Sequence, residues 1–129
     1  MFKLFKSNQG DIPVIKELAP VAATYKVGEA LALSSNGLVA KVSGTNAPTF
    51  ISCGAGTLTS ADKLAVNPIY EGYEFETTFA DTATTLKVGA KVTIHTDSAQ
   101  VTATTTSGVA EIVDILGGGA SGSKVIVKF

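Results

Sequence analysis

The feature that most constrains this fold is internal: the chain resembles itself at a displacement of 61 residues. Thr24-Tyr25-Lys26-Val27-Gly28 overlies Thr85-Leu86-Lys87-Val88-Gly89, and in the next stretch Leu31 falls on Val92 and Leu33 on Ile94. At the same displacement Ile51 meets Ile112, Ser60 meets Ser121, and Lys63-Leu64-Ala65-Val66 meets Lys124-Val125-Ile126-Val127, with a small gap near the turns between. Anchors at both ends and in the middle indicate a duplicated unit of about 45 residues. The expected organisation is an N-terminal arm over 1–23 and a β domain over 24–129, with similar halves 24–80 and 81–129. Each half is too small to bury a core alone, so the two are expected to share one.

The unit is β. Apolar positions recur at spacing two and are cut every few residues by Gly, Asn, Asp or Ser, which fits strands and not helices. Glu29 to Leu33 and Leu38 to Val42 flank Ser34-Ser35-Asn36-Gly37, whose Asn-Gly pair supplies the positive φ of a hairpin turn. Thr49 to Cys53 and Lys63 to Ile69 read as further strands, with Pro68 suggesting an edge. Glu71 to Thr78 alternates, setting Tyr73, Phe75 and Thr77 against Glu74, Glu76 and Thr78. Lys91 to His95 and Gln100 to Thr105 predict a second hairpin across Thr96-Asp97-Ser98-Ala99; Val109 to Leu116 and Lys124 to Phe129 complete the set. Phe79 to Thr85 and the glycine-rich Gly117 to Ser123 read as connectors. The fold class expected is all-β, a small barrel or sandwich-like domain of two similar units behind an extended arm.

The arm does not repeat. Phe2, Leu4, Phe5, Ile12, Val14, Ile15 and Leu18 share it with Pro13 and Pro20, in neither a helical stripe nor strict alternation. So much exposed apolar side chain needs cover, and these seven residues are the expected partner-binding set.

Composition narrows the function. All ten basic residues are lysines against eleven acids, and with no arginine the chain lacks the usual bidentate reader of phosphate and guanine, so no nucleic-acid partner is expected. A single cysteine, Cys53, allows no intramolecular disulfide and no multi-cysteine zinc site. Ser7-Asn8-Gln9-Gly10-Asp11 falls where a signal peptide needs its apolar stretch, and no run reaches a membrane span, so synthesis in a cytoplasm without membrane attachment is expected.

No constellation points to catalysis. His95 is the only histidine, on a predicted strand end, and Cys53 ends an apolar strand, where a buried inert thiol is expected. Glu71, Glu74, Glu76 and Asp81 lack calcium-loop spacing and read as a solvated acidic face. Gly117 to Lys124 lacks the Gly-Lys-Ser/Thr of a phosphate loop, since Ser123 separates Gly122 from Lys124. Catalytic residues, cofactor and metal are therefore all expected to be none. Tyr70, Tyr73 and Phe75, with the Thr-rich run Thr102 to Thr106, leave a carbohydrate- or surface-binding module of fibre or adhesin type as the alternative.

Lys16 to Pro20, Tyr25 to Leu31, Asn36 to Lys41 and Ala47 to Ser52 follow one another as a Gly-x-x-Leu strand, an Asn-Gly turn, a short strand and a Pro-x-x-Ile strand. This order resembles tailed-phage capsid decoration proteins, the broad group that includes the lambda head decoration protein. The likeness is best over residues 16 to about 53. It implies a structural role without chemistry: copies on the outside of the virion head, bound to the major capsid protein and in some cases to each other, stabilise the shell against internal pressure. It also implies an arm that adds to a capsid sheet edge. The duplicated second half departs from that group, so its trimeric geometry does not carry over.

Overall fold

A computed structural model of the chain describes residues 1–7 and 13–129. Its strands are β1 (Lys3–Lys6), β2 (Lys16–Leu18), β3 (Ala23–Tyr25), β4 (Ala30–Leu33), β5 (Val39–Lys41), β6 (Phe50–Ser52), β7 (Gly56–Leu58), β8 (Leu64–Pro68), β9 (Glu74–Thr78), β10 (Lys91–Val92), β11 (Ala110–Ile115) and β12 (Lys124–Lys128). The protein is all-β.

The strands form two five-stranded antiparallel sheets, ordered β2-β8-β6-β4-β5 and β1-β9-β12-β11-β10, and a small β3-β7 pair. The order β2-β8-β6-β4 recurs as β9-β12-β11-β10, so four strands of the first sheet are repeated in the second, which has β1 added outside and, among the described residues, lacks a strand counterpart of β5. Residue pairs agree as well as strand order. Leu18 lies opposite Leu64 and Thr77 opposite Val125; Leu31 lies opposite Phe50 and Val92 opposite Ala110. Each sheet then curls until its ends meet, through parallel bridges Pro20 to Val39 and Phe79 to Val101. Two small curled β units result.

The matching unit starts earlier than the sequence echo suggests, because β2 and β9 correspond at a displacement of 59 residues, as from Leu18 to Thr77. In the middle strand the displacement is 60. Gly28 N–H bonds Ser52 O while Gly89 N–H bonds Ile112 O, both at 2.8 Å, so Ser52 and not Ile51 is the counterpart of Ile112.

Most expected local features form. The first hairpin pairs Leu31 with Lys41 and Leu33 with Val39 around Gly37, at φ 74°. Tyr73, Phe75 and Thr77 are buried on one side of β9, as alternation demands. The second hairpin is reduced to β10 and an Ile94–Val101 bridge. Pro68 does not mark an edge: β8 lies between β2 and β6, and its proline is tolerated because β2 pairs only as far as Val66, leaving Pro68 beside β6 alone. The two connectors are pinned together, with Ala83 N–H on Gly119 O at 2.6 Å and Gly122 N–H on Phe79 O at 2.7 Å, the counterpart of the β3-β7 pair.

The single shared core is also corrected, since the apolar residues separate into two clusters. Tyr25, Leu31, Val39, Leu64 and Val66 fill the first unit. Their counterparts Val92, Val101, Val125 and Val127 fill the second, within a larger cluster that also holds Phe2, Ala30 and Ile51. Alternation explains the sharing: on β4, Leu31 points into its own unit and Ala30 to the other, and on β6 Phe50 and Ile51 divide likewise. Main-chain bonds reinforce this junction, from Ala30 N–H to Ser98 O and, in both directions, between Gly44 and Ile94.

The extended arm is the largest correction. Its first strand, β1, pairs with β9, setting Lys3 opposite Glu76 and Leu4 opposite Phe75, and β2 is an integral strand of the first sheet. Phe2 is 2% exposed, its ring edge-on to Phe129 at 5.3 Å. Burying that side chain contributes about 2–3 kcal/mol, so Phe2 finds its cover within its own chain.

Candidate functional site

At the junction of the units the turn Lys26 to Glu29 lies over the end of β6, at Ser52. Gly28 adopts φ 80°, which opens the turn without a Cβ penalty. Phe2 N–H bonds its carbonyl at 2.8 Å, and a Cβ on Gly28 would collide with Met1 and with Phe2 O. The turn and the N-terminal strand are thus fitted to one another.

Glu29, 3% exposed, is the charge at the centre of this junction. Its Oε2 accepts from Lys26 N–H at 2.9 Å and its Oε1 from Lys41 Nζ at 2.8 Å. Ser52 Oγ accepts from Glu29 N–H at 2.9 Å and donates to Lys26 O. Lys41 Nζ also lies over the Tyr25 ring, 5.5 Å from its centroid, and Tyr25 Oη reaches Val21 O at 2.7 Å. Burial, with the Glu29 charge adding to it, pushes the Tyr25 phenol up. Every partner of the carboxylate is accounted for, so the group acts as a structural latch.

A groove of about 540 Å³ runs beside the latch between Lys26, Val27, Glu29 and Lys41 of the first unit and Asp97 and Ala99 of the second. A smaller hollow of about 230 Å³ lies across Met1 and Val27 from it, walled by Leu4, Ile51, Cys53 and Asn67. Neither brings a base to a nucleophile. Cys53 is exposed, not buried: it lies one residue past the end of β6, where the chain leaves the sheet for the loop before β7. Its partial burial pushes the thiol up, which leaves it protonated and weakly nucleophilic. His95 Nδ1 instead faces Asp97 Oδ1 at 3.2 Å. Glu74 and Glu76 make cross-strand pairs with Lys6 and Lys124, at 4.0 and 3.0 Å. Among the described residues no cluster of His, Cys, Asp and Glu could hold a metal ion.

No family model matches the chain, and no curated protein is significantly similar to it.

The structure divides the seven residues expected to bind a partner. Phe2 is core, Leu4 packs against the second cluster, and Leu18 packs against the first. Phe5, Val14 and Ile15 face outward, at 58%, 52% and 62% exposure, and Ile12 lies outside the described residues. Of the aromatic set considered for sugar binding, Tyr73 and Phe75 are buried and only Tyr70 is presented. The latch was not anticipated from sequence. A signal for it exists in the repeat, where Glu29 and Ser52 stand against Ala90 and Ile112: two polar residues hold the positions that the other half fills with apolar ones.

Proposed function

We propose that the protein is a phage capsid decoration protein that binds the outer surface of the head through its major capsid protein and stabilises the shell. The observation that carries this reading is the ordered likeness over residues 16 to 53, whose pieces fall on β2, β4, β5 and β6 of one unit. A doubled β unit with main-chain bonds across its junction suits a mechanical part that transmits load. Exposed Phe5, Val14 and Ile15 supply apolar surface on the N-terminal strands, and repetition over many sites turns modest single contacts into firm attachment.

The role requires no reaction. The N-terminal segment acts in it as part of the folded body, so deleting residues 1–20 would remove two sheet strands and tests folding before binding. The direct experiment mixes the intact protein with expanded and unexpanded heads of a tailed phage that carries its gene. Saturable co-sedimentation with expanded heads, and a raised temperature of DNA release, are expected. Absence of binding to either form of head would refute the reading.

A further inference from the structure

The internal repeat gives a template for reading the surface. Along the outer side of β9, Glu74 to Glu76 is covered by β1 of the same chain. Through the shared pairing with β8 and β12, Ile15, Lys16 and Glu17 are the counterparts of Glu74, Phe75 and Glu76. Among the described residues no strand pairs with that side of β2; the bridge that closes the unit begins only at Pro20. One edge is filled and, among the described residues, its equivalent is open.

The two outermost strands on these sides are protected differently. The outer edge of β1 carries Lys3 and Lys6, and its register breaks between Leu4 and Lys6, both features that discourage further pairing. In β2 the register is regular, Lys16 stands beside Glu17 of opposite charge, and the adjoining Val14 and Ile15 are more than half exposed. An edge of this kind accepts an incoming strand.

We propose that the outer side of residues 14–17 is a strand-addition site, filled on the head by an extended segment of the capsid protein running antiparallel to β2 as β1 runs to β9. This rests on the decoration reading and names the contact it uses. The template sets one residue of the guest, a basic one opposite Glu17, as Lys3 stands opposite Glu76; complementarity to this chain's own Lys16 and Ile15 adds an acidic residue and an apolar one opposite them. Main-chain pairing supplies the affinity and these side chains set the register.

The test uses the full chain on expanded heads. On binding, amide hydrogen exchange at residues 14–17 should slow by on the order of tenfold or more, while that of β1 is unchanged. The Val14→Lys/Ile15→Lys variant, altered only at exposed positions, should keep its melting temperature and bind on the order of tenfold more weakly. Val88→Lys, an equally exposed site in the other unit, should bind as the parent does. If the parent binds heads while exchange at 14–17 is unchanged, or the double variant binds equally well, the strand-addition site is wrong and the decoration reading stands. If the parent binds no heads, both fall.

Discussion

The two units share a strand order and differ in what holds them. In the first, a small cluster of Tyr25, Leu31, Val39, Leu64 and Val66 is supplemented by the Glu29–Lys41–Ser52 latch. In the second, Ala90 and Ile112 replace Glu29 and Ser52, and the apolar cluster is extended by Phe2, Phe75 and Phe79. Backbone pattern and side-chain chemistry are therefore separable here: equivalent main-chain bonds are kept at Gly28 and Gly89 while their surroundings diverge. The N-terminal strand follows the same asymmetry, because it completes the second unit and, among the described residues, nothing does the same for the first.

The largest effect expected from breaking this asymmetry is at Phe75, the counterpart of exposed Lys16. Phe75→Ala should cost about 3–5 kcal/mol in chemical denaturation, because its ring packs between Tyr73 and Phe129 at centroid distances of 6.4 and 5.8 Å. Lys16→Ala should change stability by about 0.5 kcal/mol or less. Equal losses at the two positions would contradict the difference in burial between these equivalent sites of β2 and β9.

Next is the latch. Glu29→Ala should cost about 3 kcal/mol, because it strips the partner from Lys26 N–H and from half-buried Lys41. Adding Ser52→Ile, which writes the second unit's chemistry into the first, should recover part of that loss. A double variant no more stable than Glu29→Ala would show that the first unit cannot be closed by apolar packing. A smaller difference separates the two turn glycines. Gly89→Ala meets open space and carries only the strain of φ 89°, about 1 kcal/mol, whereas Gly28→Ala must also displace Met1 and Phe2 and should cost about 2–3 kcal/mol.

The smallest expected effect is acid sensitivity of the second hairpin turn, where Asp97 replaces Asn36. Burial alone raises the Asp97 carboxyl, but hydrogen bonds from Ala99, His95 and Gln100 outweigh it and hold the group below its usual range. A depressed carboxylate contributes stability that is full above its ordinary value of 3.8 and is lost as the pH falls through the lower folded value. Thermal melts from neutral pH downward should show a steeper acid loss for the parent than for Asp97→Asn.

Much of this was legible in the sequence because the repeat and the longer strands leave periodic marks: the β4–β5 turn, the alternation of β9, and the apolar run of β12 at the centre of its sheet. The N-terminal strands were not. With three or four residues each, β1 and β2 are too short to show alternation, and their apolar residues are divided between two clusters, Phe2 and Leu4 in one and Leu18 in the other. Pro20 reads as a breaker yet sits at the bridge that closes the first unit. Of the partner-binding set, only the outward direction of Phe5, Val14 and Ile15 distinguishes surface from core, and direction depends on pairing, which sequence alone does not specify.

The leading strand belongs to the folded body. Amide hydrogen exchange of the isolated protein in solution tests this directly. Phe2 N–H, held by Gly28 O, and the amides of residues 3 to 6 that face β9 should be protected to a degree comparable with β9. Exchange of those amides at unstructured-chain rates, with β9 still protected, would contradict it.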